Sequence, residues 1–132
     1  MADVILKIQS PEGVKFSPQK VRNVRPVWQV ASGSNAWCPP TDVIERERDF
    51  LVLVEVAGMQ GGKFVITLDQ RTLVIQGERS SLNEPCSYHQ MEIGFGSFCT
   101  GVELSTSVEV EEARANYEDG FLRIVLPKQD RA

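Results

Sequence analysis

Apolar and polar residues alternate along most of the chain from Trp37 onward, in short segments separated by turn residues. In the clearest segment, Phe50, Val52 and Val54 share one face, because successive side chains of a strand point to opposite sides. Turn residues recur about every ten positions, which is typical of an antiparallel sandwich. The segments that this pattern predicts as strands are 42–47, 50–56, 63–68, 72–76, 98–104, 113–117 and 121–126.

The prediction is therefore an all-β fold, an immunoglobulin-like antiparallel β-sandwich with about eight strands and no long helix. Asp119-Gly120 separates the last two predicted strands. This dipeptide tolerates positive φ angles, so it predicts a two-residue hairpin turn of the primed type. Trp37 is expected to pack its large ring against the sandwich.

Residues 1–36 have a different character. Proline, glycine and serine interrupt this segment at intervals too short for a long helix, yet its apolar content exceeds that of a simple linker. We therefore predict a flexible N-terminal arm at 1–36, a folded domain at 37–128 and a short C-terminal tail at 129–132. The apolar residues of the arm are expected to rest on the domain, on another subunit or on a bound protein.

Charge narrows the possible partners. The net charge is −4, and the arm has five bases and two acids whereas residues 37–132 have nine bases and sixteen acids. Nucleic-acid binding needs a basic surface on the folded part, so we expect no nucleic-acid partner. No apolar run approaches the roughly 20 residues of a membrane span. The beginning of the chain lacks the features of a secretory signal, and a cytoplasmic location without membrane association is expected.

Candidate chemical groups are sparse. Cys38, Cys86 and Cys99 form no Cys-x-x-Cys pair, and we expect them to be reduced thiols. His89 is the only histidine of the chain, and no nucleophile, metal-ligand set or phosphate-binding glycine loop accompanies it. The acidic residues between 109 and 119 lack the spacing of a calcium loop. We expect no enzymatic activity, no metal and no cofactor.

Several spaced motifs carry a family resemblance. Ala115 precedes Gly120-x-Leu122, and the closing strand ends in Leu-Pro127-Lys. Upstream stand Leu-Val-Ile-Gln-Gly-Glu-Arg at 73–79 and Gly-x-Phe at 96–98. Together these motifs resemble the α-crystallin domain of small heat-shock proteins over about residues 37–128. The sequence departs from the family pattern at Ile93, at Cys99-Thr100 and at Ser105, and these departures affect charge pairing at a subunit interface.

The resemblance implies an ATP-independent molecular chaperone, a holdase, that binds partly unfolded proteins and suppresses their aggregation. Its expected partners are unfolded client proteins and further copies of itself. A β-sandwich adaptor of the co-chaperone type stays open as the alternative function. The client-binding residues are predicted in the apolar arm, at Ile5, Leu6, Ile8, Phe16, Val27 and Trp28.

The resemblance also implies a groove between the third and the sixth of the strands predicted above, 63–68 and 113–117, where members of the family bind an Ile-x-Ile/Val tail motif. The groove residues are Phe64, Ile66, Leu68, Ala113, Ala115 and Tyr117. Residues 129–132 contain no such motif, and Leu6-Lys7-Ile8 has the alternation needed to fill the groove as an added strand.

Self-association is expected by loop exchange. The resemblance implies that the loop after Arg79 swaps between two subunits, and the loop residues predicted at the dimer interface are Ser81, Leu82, Pro85, Cys86 and Tyr88. Antiparallel pairing of edge strands is the alternative kind of dimer.

Overall fold

The computed structural model describes residues 3–7, 16–20, 26–30 and 36–129. The strands within these ranges are β1 (Asp3–Lys7), β2 (Phe16–Lys20), β3 (Pro26–Val30), β4 (Thr41–Glu45), β5 (Asp49–Glu55), β6 (Lys63–Asp69), β7 (Thr72–Arg79), β8 (Gly96–Glu103), β9 (Arg114–Glu118) and β10 (Phe121–Pro127). One turn of 3-10 helix at Val110–Glu112 is the only helix among the described residues.

Two four-stranded sheets form the body of the protein. Their strand orders are β1-β6-β7-β8 and β4-β5-β10-β9, and β2 and β3 pair with each other as a separate hairpin. All pairs within the two sheets are antiparallel except β1 with β6, which is parallel. The predicted all-β sandwich is confirmed, and the described residues contain no long helix. A strand was predicted at Leu6-Lys7-Ile8, close to β1, whereas β2 and β3 of the arm were not predicted.

The core lies between the two sheets and follows the predicted alternation. Phe50, Val52 and Val54 of β5 are buried, as are Phe64 and Ile66 of β6, and all belong to one hydrophobic cluster. Burial of a Val, Leu, Ile or Phe side chain is worth roughly 1.5–3 kcal/mol, so this cluster is the main source of stability. It also fixes the sheets as a rigid support for any site on their edges.

The hairpin between β9 and β10 has the predicted two-residue turn. Glu118 pairs directly with Phe121, which leaves Asp119 and Gly120 as the loop. Their φ angles are +55° and +84°, and positive φ at both central residues defines a type I′ turn. The turn therefore matches the expectation for the Asp-Gly dipeptide and sets the register of β9 against β10.

A chain of aromatic rings crosses the core from the start of the domain. The Trp37 ring lies 5.4 Å from that of Phe98, which lies 6.0 Å from that of Phe64. Trp37 also donates a hydrogen bond from Nε1 to the carbonyl of Gly96 at 3.3 Å. The predicted packing of Trp37 against the sandwich is thus confirmed. A Cβ at Gly77 would overlap the Phe98 ring, so this strand position requires glycine.

Candidate functional site

The groove predicted from the sequence corresponds to the space between β6 and β9, and β1 contacts both of these strands. Its floor consists of Phe64, Ile66 and Leu68, which are fully buried. Its far wall consists of Ala113, Ala115 and Tyr117, which are half-buried and pack against the same core. The structure therefore brings together the six residues that the sequence placed at the groove.

Strand β1 occupies this groove. Val4 pairs with Phe64 and Leu6 pairs with Ile66 in a parallel register, and both Val4 and Leu6 pack against the core. Ile5, the residue between them, points to the opposite face of the strand and pairs with Val65. The arm thus supplies the added strand, with Val4 and Leu6 as the inserted pair. Ile8, the other residue proposed for this role, lies outside the described residues.

Tyr117 holds the far wall of the groove in place. Its hydroxyl donates a hydrogen bond to the carbonyl of Val56 at 2.8 Å and accepts one from the backbone nitrogen of Met59 at 3.3 Å. Its ring lies 5.2 Å from that of Phe64. Both polar and apolar contacts therefore fix the position of the Tyr117 ring.

An open cleft of about 780 Å³ adjoins this wall at the end of the β9–β10 hairpin. Its lining residues are Ala57, Gly58, Gln60, Tyr117, Glu118, Asp119 and Gly120. Tyr117 lines both the groove and the cleft, so the two form a continuous surface along this side of the protein.

The remaining arm residues predicted to bind clients lie in the β2–β3 hairpin. Phe16 begins β2 and pairs with Val30, whereas Val27 and Trp28 lie in β3. Strand β3 approaches β8, the other edge of the first sheet. The structure thus places Ile5 and Leu6 in β1 at one edge of the first sheet, and Phe16, Val27 and Trp28 in a hairpin that contacts β8 at the other edge.

The loop from Ser80 to Phe95 is the most exposed part of the domain. The five residues predicted at a dimer interface all lie exposed in this loop: Ser81, Leu82, Pro85, Cys86 and Tyr88. Two further apolar residues, Met91 and Ile93, are 63% and 64% exposed and were missed by the sequence analysis. These two apolar residues lie two positions apart and have polar neighbours, and this alternation is the signal that could have identified them.

Arg79 closes this loop at its base. Its guanidinium donates hydrogen bonds to the carbonyl of Gly94, at 2.9 Å from Nε and 2.5 Å from Nη2, and to that of Ala57 at 3.0 Å. The same group lies 4.4 Å from the centre of the Trp37 ring and 5.6 Å from that of Phe95. Arg79 therefore links both ends of the loop to the rigid core, while the loop between them is exposed.

The described residues include three cysteines and one histidine. Cys38, Cys86 and His89 are exposed, and Cys99 is buried. Burial and, to a smaller extent, the charge of Cys38 raise the pKa of the Cys99 thiol to about 11. The part of the chain that the structure describes contains no group of three potential metal ligands. None of its helices is long and apolar enough to cross a bilayer.

Comparison with protein families adds an independent finding. The model of the family described as Hsp20/alpha crystallin matches residues 42–132 of this chain. Small heat shock protein C4 of Rickettsia felis is 32% identical over 96 residues, which cover 71% of this chain and 59% of that protein. The 17.7 kDa class II heat shock protein of Arabidopsis thaliana is 28% identical over 93 residues, covering 67% and 60% respectively. The chain thus spans about three-fifths of the length of these relatives.

Solved structures give the same picture of the fold. The hspA protein of Xanthomonas axonopodis superimposes with a TM-score of 0.64 at 27% identity, covering 73% of this chain and 98% of that one. Heat shock protein 16.0 of Schizosaccharomyces pombe superimposes with a TM-score of 0.63 at 25% identity, covering 73% and 91%. The similarity therefore extends over the whole sandwich.

Proposed function

Because the chain belongs to the Hsp20/alpha crystallin family, we propose that it is an ATP-independent holdase that binds partly unfolded proteins and keeps them from aggregating. Its relatives are small heat shock proteins, and this membership supports a chaperone-type role. The observation that supports the proposal is the short strand β1 of the arm, which pairs with β6 and packs Val4 and Leu6 against the core.

Strand β1 is held weakly enough for a segment of an unfolded client to replace it. Its apolar residues Val4, Ile5 and Leu6 are only half-buried, and the strand pairs with β6 alone. Removing apolar surface from water is worth about 25 cal/mol per Å², whatever the sequence of the segment that supplies the surface. An unfolded segment with two apolar residues at alternate positions can therefore take the place of β1, using backbone hydrogen bonds to the edge of β6 for affinity.

This mode of binding suits a broad range of clients. Backbone hydrogen bonds can be formed by any sequence, and the groove requires only apolar side chains at alternate positions of the bound segment. A displaced β1 also frees its own Ile5 and Leu6 for contacts with the client, and we include Ile8, Phe16, Val27 and Trp28 of the arm in the same binding surface. We assign the client-binding surface to the groove and to this arm together. We also propose that the protein is cytoplasmic.

The same proposal includes self-association through the exposed loop. Met91 and Ile93 in the loop are apolar and exposed, and so are Val43 and Ile44 in β4, which lies at the edge of the second sheet. A loop segment of one subunit that pairs with β4 of another covers both sets of residues. Exchange between two copies is symmetric, so a closed dimer follows.

The dimer is tested by mass in solution. Wild-type protein is expected to sediment at twice the chain mass or a multiple of it. The double variant Met91→Ser/Ile93→Ser is expected to be a monomer with an unchanged circular dichroism spectrum. As a control, Ile44→Ser tests the proposed partner strand and is expected to weaken the same association. A monomeric wild type, or a variant that associates as strongly as wild type, contradicts the loop-exchange model.

The holdase function is tested by light scattering of a heat-labile reporter enzyme. With an equimolar amount of this protein, the scattering of the heated reporter is expected to fall strongly, to the same extent with and without ATP. Suppression that appears only when an ATP-driven chaperone is added indicates the adaptor function instead. A reporter that aggregates as fast as it does alone, with or without that chaperone, contradicts both functions.

A further inference from the structure

Two cysteines lie next to each other where the domain begins. An isolated parallel bridge joins Trp37 to Phe98, with hydrogen bonds from the Trp37 nitrogen to the Ser97 carbonyl at 3.1 Å and from the Cys99 nitrogen to the Trp37 carbonyl at 3.0 Å. In a parallel pair the next residues along each strand are also neighbours. Cys38 therefore stands beside Cys99, although 60 residues separate them in the sequence.

Both thiols belong to the same face of this pair of strands. The rings of Trp37 and Phe98 point into the core, where they contact each other, so the residues that follow them point to the opposite side. Cys99 is 7% exposed but does not belong to the hydrophobic core cluster, in agreement with this orientation. Cys38 is exposed. The effect of Cys38 on the pKa of Cys99 is further support for their proximity.

We propose that Cys38 and Cys99 form a thiol–disulfide site that closes reversibly on reaction with a low-molecular-weight disulfide such as oxidised glutathione. Neighbouring strands lie about 4.8 Å apart, and a disulfide requires Cα atoms separated by roughly 4.4–6.8 Å. Pro39 has no N–H group, so the hydrogen-bonded pairing of the two strands does not continue beyond Cys38. This position can therefore make the small shift that bond formation needs. The inference is independent of the proposed chaperone function.

The reaction proceeds by two exchange steps. The exposed Cys38 thiolate attacks one sulfur of oxidised glutathione, which forms a mixed disulfide and releases one glutathione thiolate. The Cys99 thiolate then attacks the Cys38 sulfur and releases the second glutathione. In total, two protein thiols lose two electrons and two protons, and one oxidised glutathione becomes two reduced glutathione molecules. A dithiol reagent reverses the sequence.

The buried position of Cys99 favours this pairing over others. An external disulfide reaches the exposed Cys38 readily but not the buried Cys99, whereas Cys99 stands beside Cys38 in the strand pair. Cys86 lies exposed in the loop from Ser80 to Phe95 and is the competing thiol for contacts between molecules. Closing the bond joins Cys38, two residues after the end of the arm, to the edge strand β8. The bond therefore attaches the end of the arm covalently to the sandwich.

The test uses the full chain carrying Cys86→Ser, which leaves the two proposed partners. After incubation with oxidised glutathione, the intact mass is expected to fall by two hydrogen atoms, and a digest is expected to contain the Cys38–Cys99 linked peptides. The melting temperature is expected to rise, because the bond constrains a long loop of the unfolded chain, and to return to its initial value with dithiothreitol. Cys38→Ser in the same background is expected to show neither change.

Two results overturn the proposal. One is a protein that gains the mass of glutathione on Cys38 and keeps it while Cys99 can still be alkylated after denaturation. The other is a protein whose mass is unchanged and whose two thiols both remain free. Cys99→Ala with Cys86→Ser is the second control, and it is expected to stop at the mixed disulfide on Cys38, which shows that Cys99 resolves that intermediate.

Discussion

Removing the two apolar side chains by which β1 fills the groove is expected to release the strand while leaving the sandwich folded. The change is Val4→Ser/Leu6→Ser. Full burial of a Val or Leu side chain is worth roughly 1.5–3 kcal/mol, and both residues are half-buried, so each contributes about 1 kcal/mol. A combined loss of about 2 kcal/mol raises the ratio of released to docked β1 by about 30-fold.

Hydrogen exchange followed by mass spectrometry measures this release. Strand β6 pairs with β7 on one side and with β1 on the other, so only part of its backbone N–H groups depend on β1 for protection. In the double variant, those amides within Lys63–Asp69 are expected to exchange about 30-fold faster. The amides of β6 that bond to β7 are expected to keep their protection, because the antiparallel pair is unchanged.

Ile5→Ser provides the matched control. It removes an apolar side chain from the same strand, but Ile5 faces away from the groove and does not pack against the core. Its effect on exchange in β6 is expected to be much smaller than that of either groove-facing substitution. Equal exchange in wild type and double variant, or an equal effect of Ile5→Ser, refutes the assignment of Val4 and Leu6 to the groove.

Three further outcomes are expected. Gly77→Ala places a Cβ against the buried ring of Phe98 and lowers the free energy of unfolding in urea by about 3 kcal/mol; an unchanged midpoint contradicts the contact. Arg79→Lys loses the forked hydrogen bonds at the base of the loop and about 2 kcal/mol in the same assay, whereas Arg123→Lys, at an exposed strand position, has little effect. The pKa of Cys99 is raised from 9.0 to about 11, so its neutral thiol stabilises the fold fully below pH 9 and this contribution is lost as the pH rises to 11. The stability of the wild type relative to Cys99→Ala is thus expected to fall by about 2 kcal/mol over that range, and parallel pH profiles contradict the burial.

The sandwich could be predicted from the sequence because its core obeys the period of a strand. Every second residue of β5 and β6 is apolar, and each of these residues is buried. The turn at Asp119-Gly120 could be predicted because few residues accept positive φ at two successive positions. Rules of this kind depend only on residues that are close together in the sequence, so they can be applied to a single sequence.

The filling of the groove was only partly predictable. The alternation of apolar residues at the start of the arm indicated an added strand, but it fits Leu6 with Ile8 as well as Val4 with Leu6. The choice depends on the register against β6, which is set by contacts more than 50 residues away in the sequence. The hydrogen bonds of Arg79 were missed for the same reason, since Gly94 lies 15 residues after it and Ala57 lies 22 residues before it.

The pairing of Cys38 with Cys99 was equally invisible in the sequence. Spacing rules recognise cysteines that are close along the chain, whereas these two meet only because Trp37 bridges to Phe98. The boundary between arm and domain at residues 36 and 37 stays a prediction. The client-binding role of the arm residues stays a prediction as well.

The central claim is that this protein holds unfolded chains on its apolar surfaces, and size-exclusion chromatography with light-scattering detection tests it most directly. A heat-labile reporter is heated with an equimolar amount of the protein without nucleotide, cooled and applied to the column. The account predicts a soluble complex that contains both chains and has a mass above that of either alone. It also predicts that Val4→Ser/Leu6→Ser, with its groove open, retains at least as much reporter in solution. A pelleted reporter, with this protein eluting unchanged at its own volume, would contradict the account.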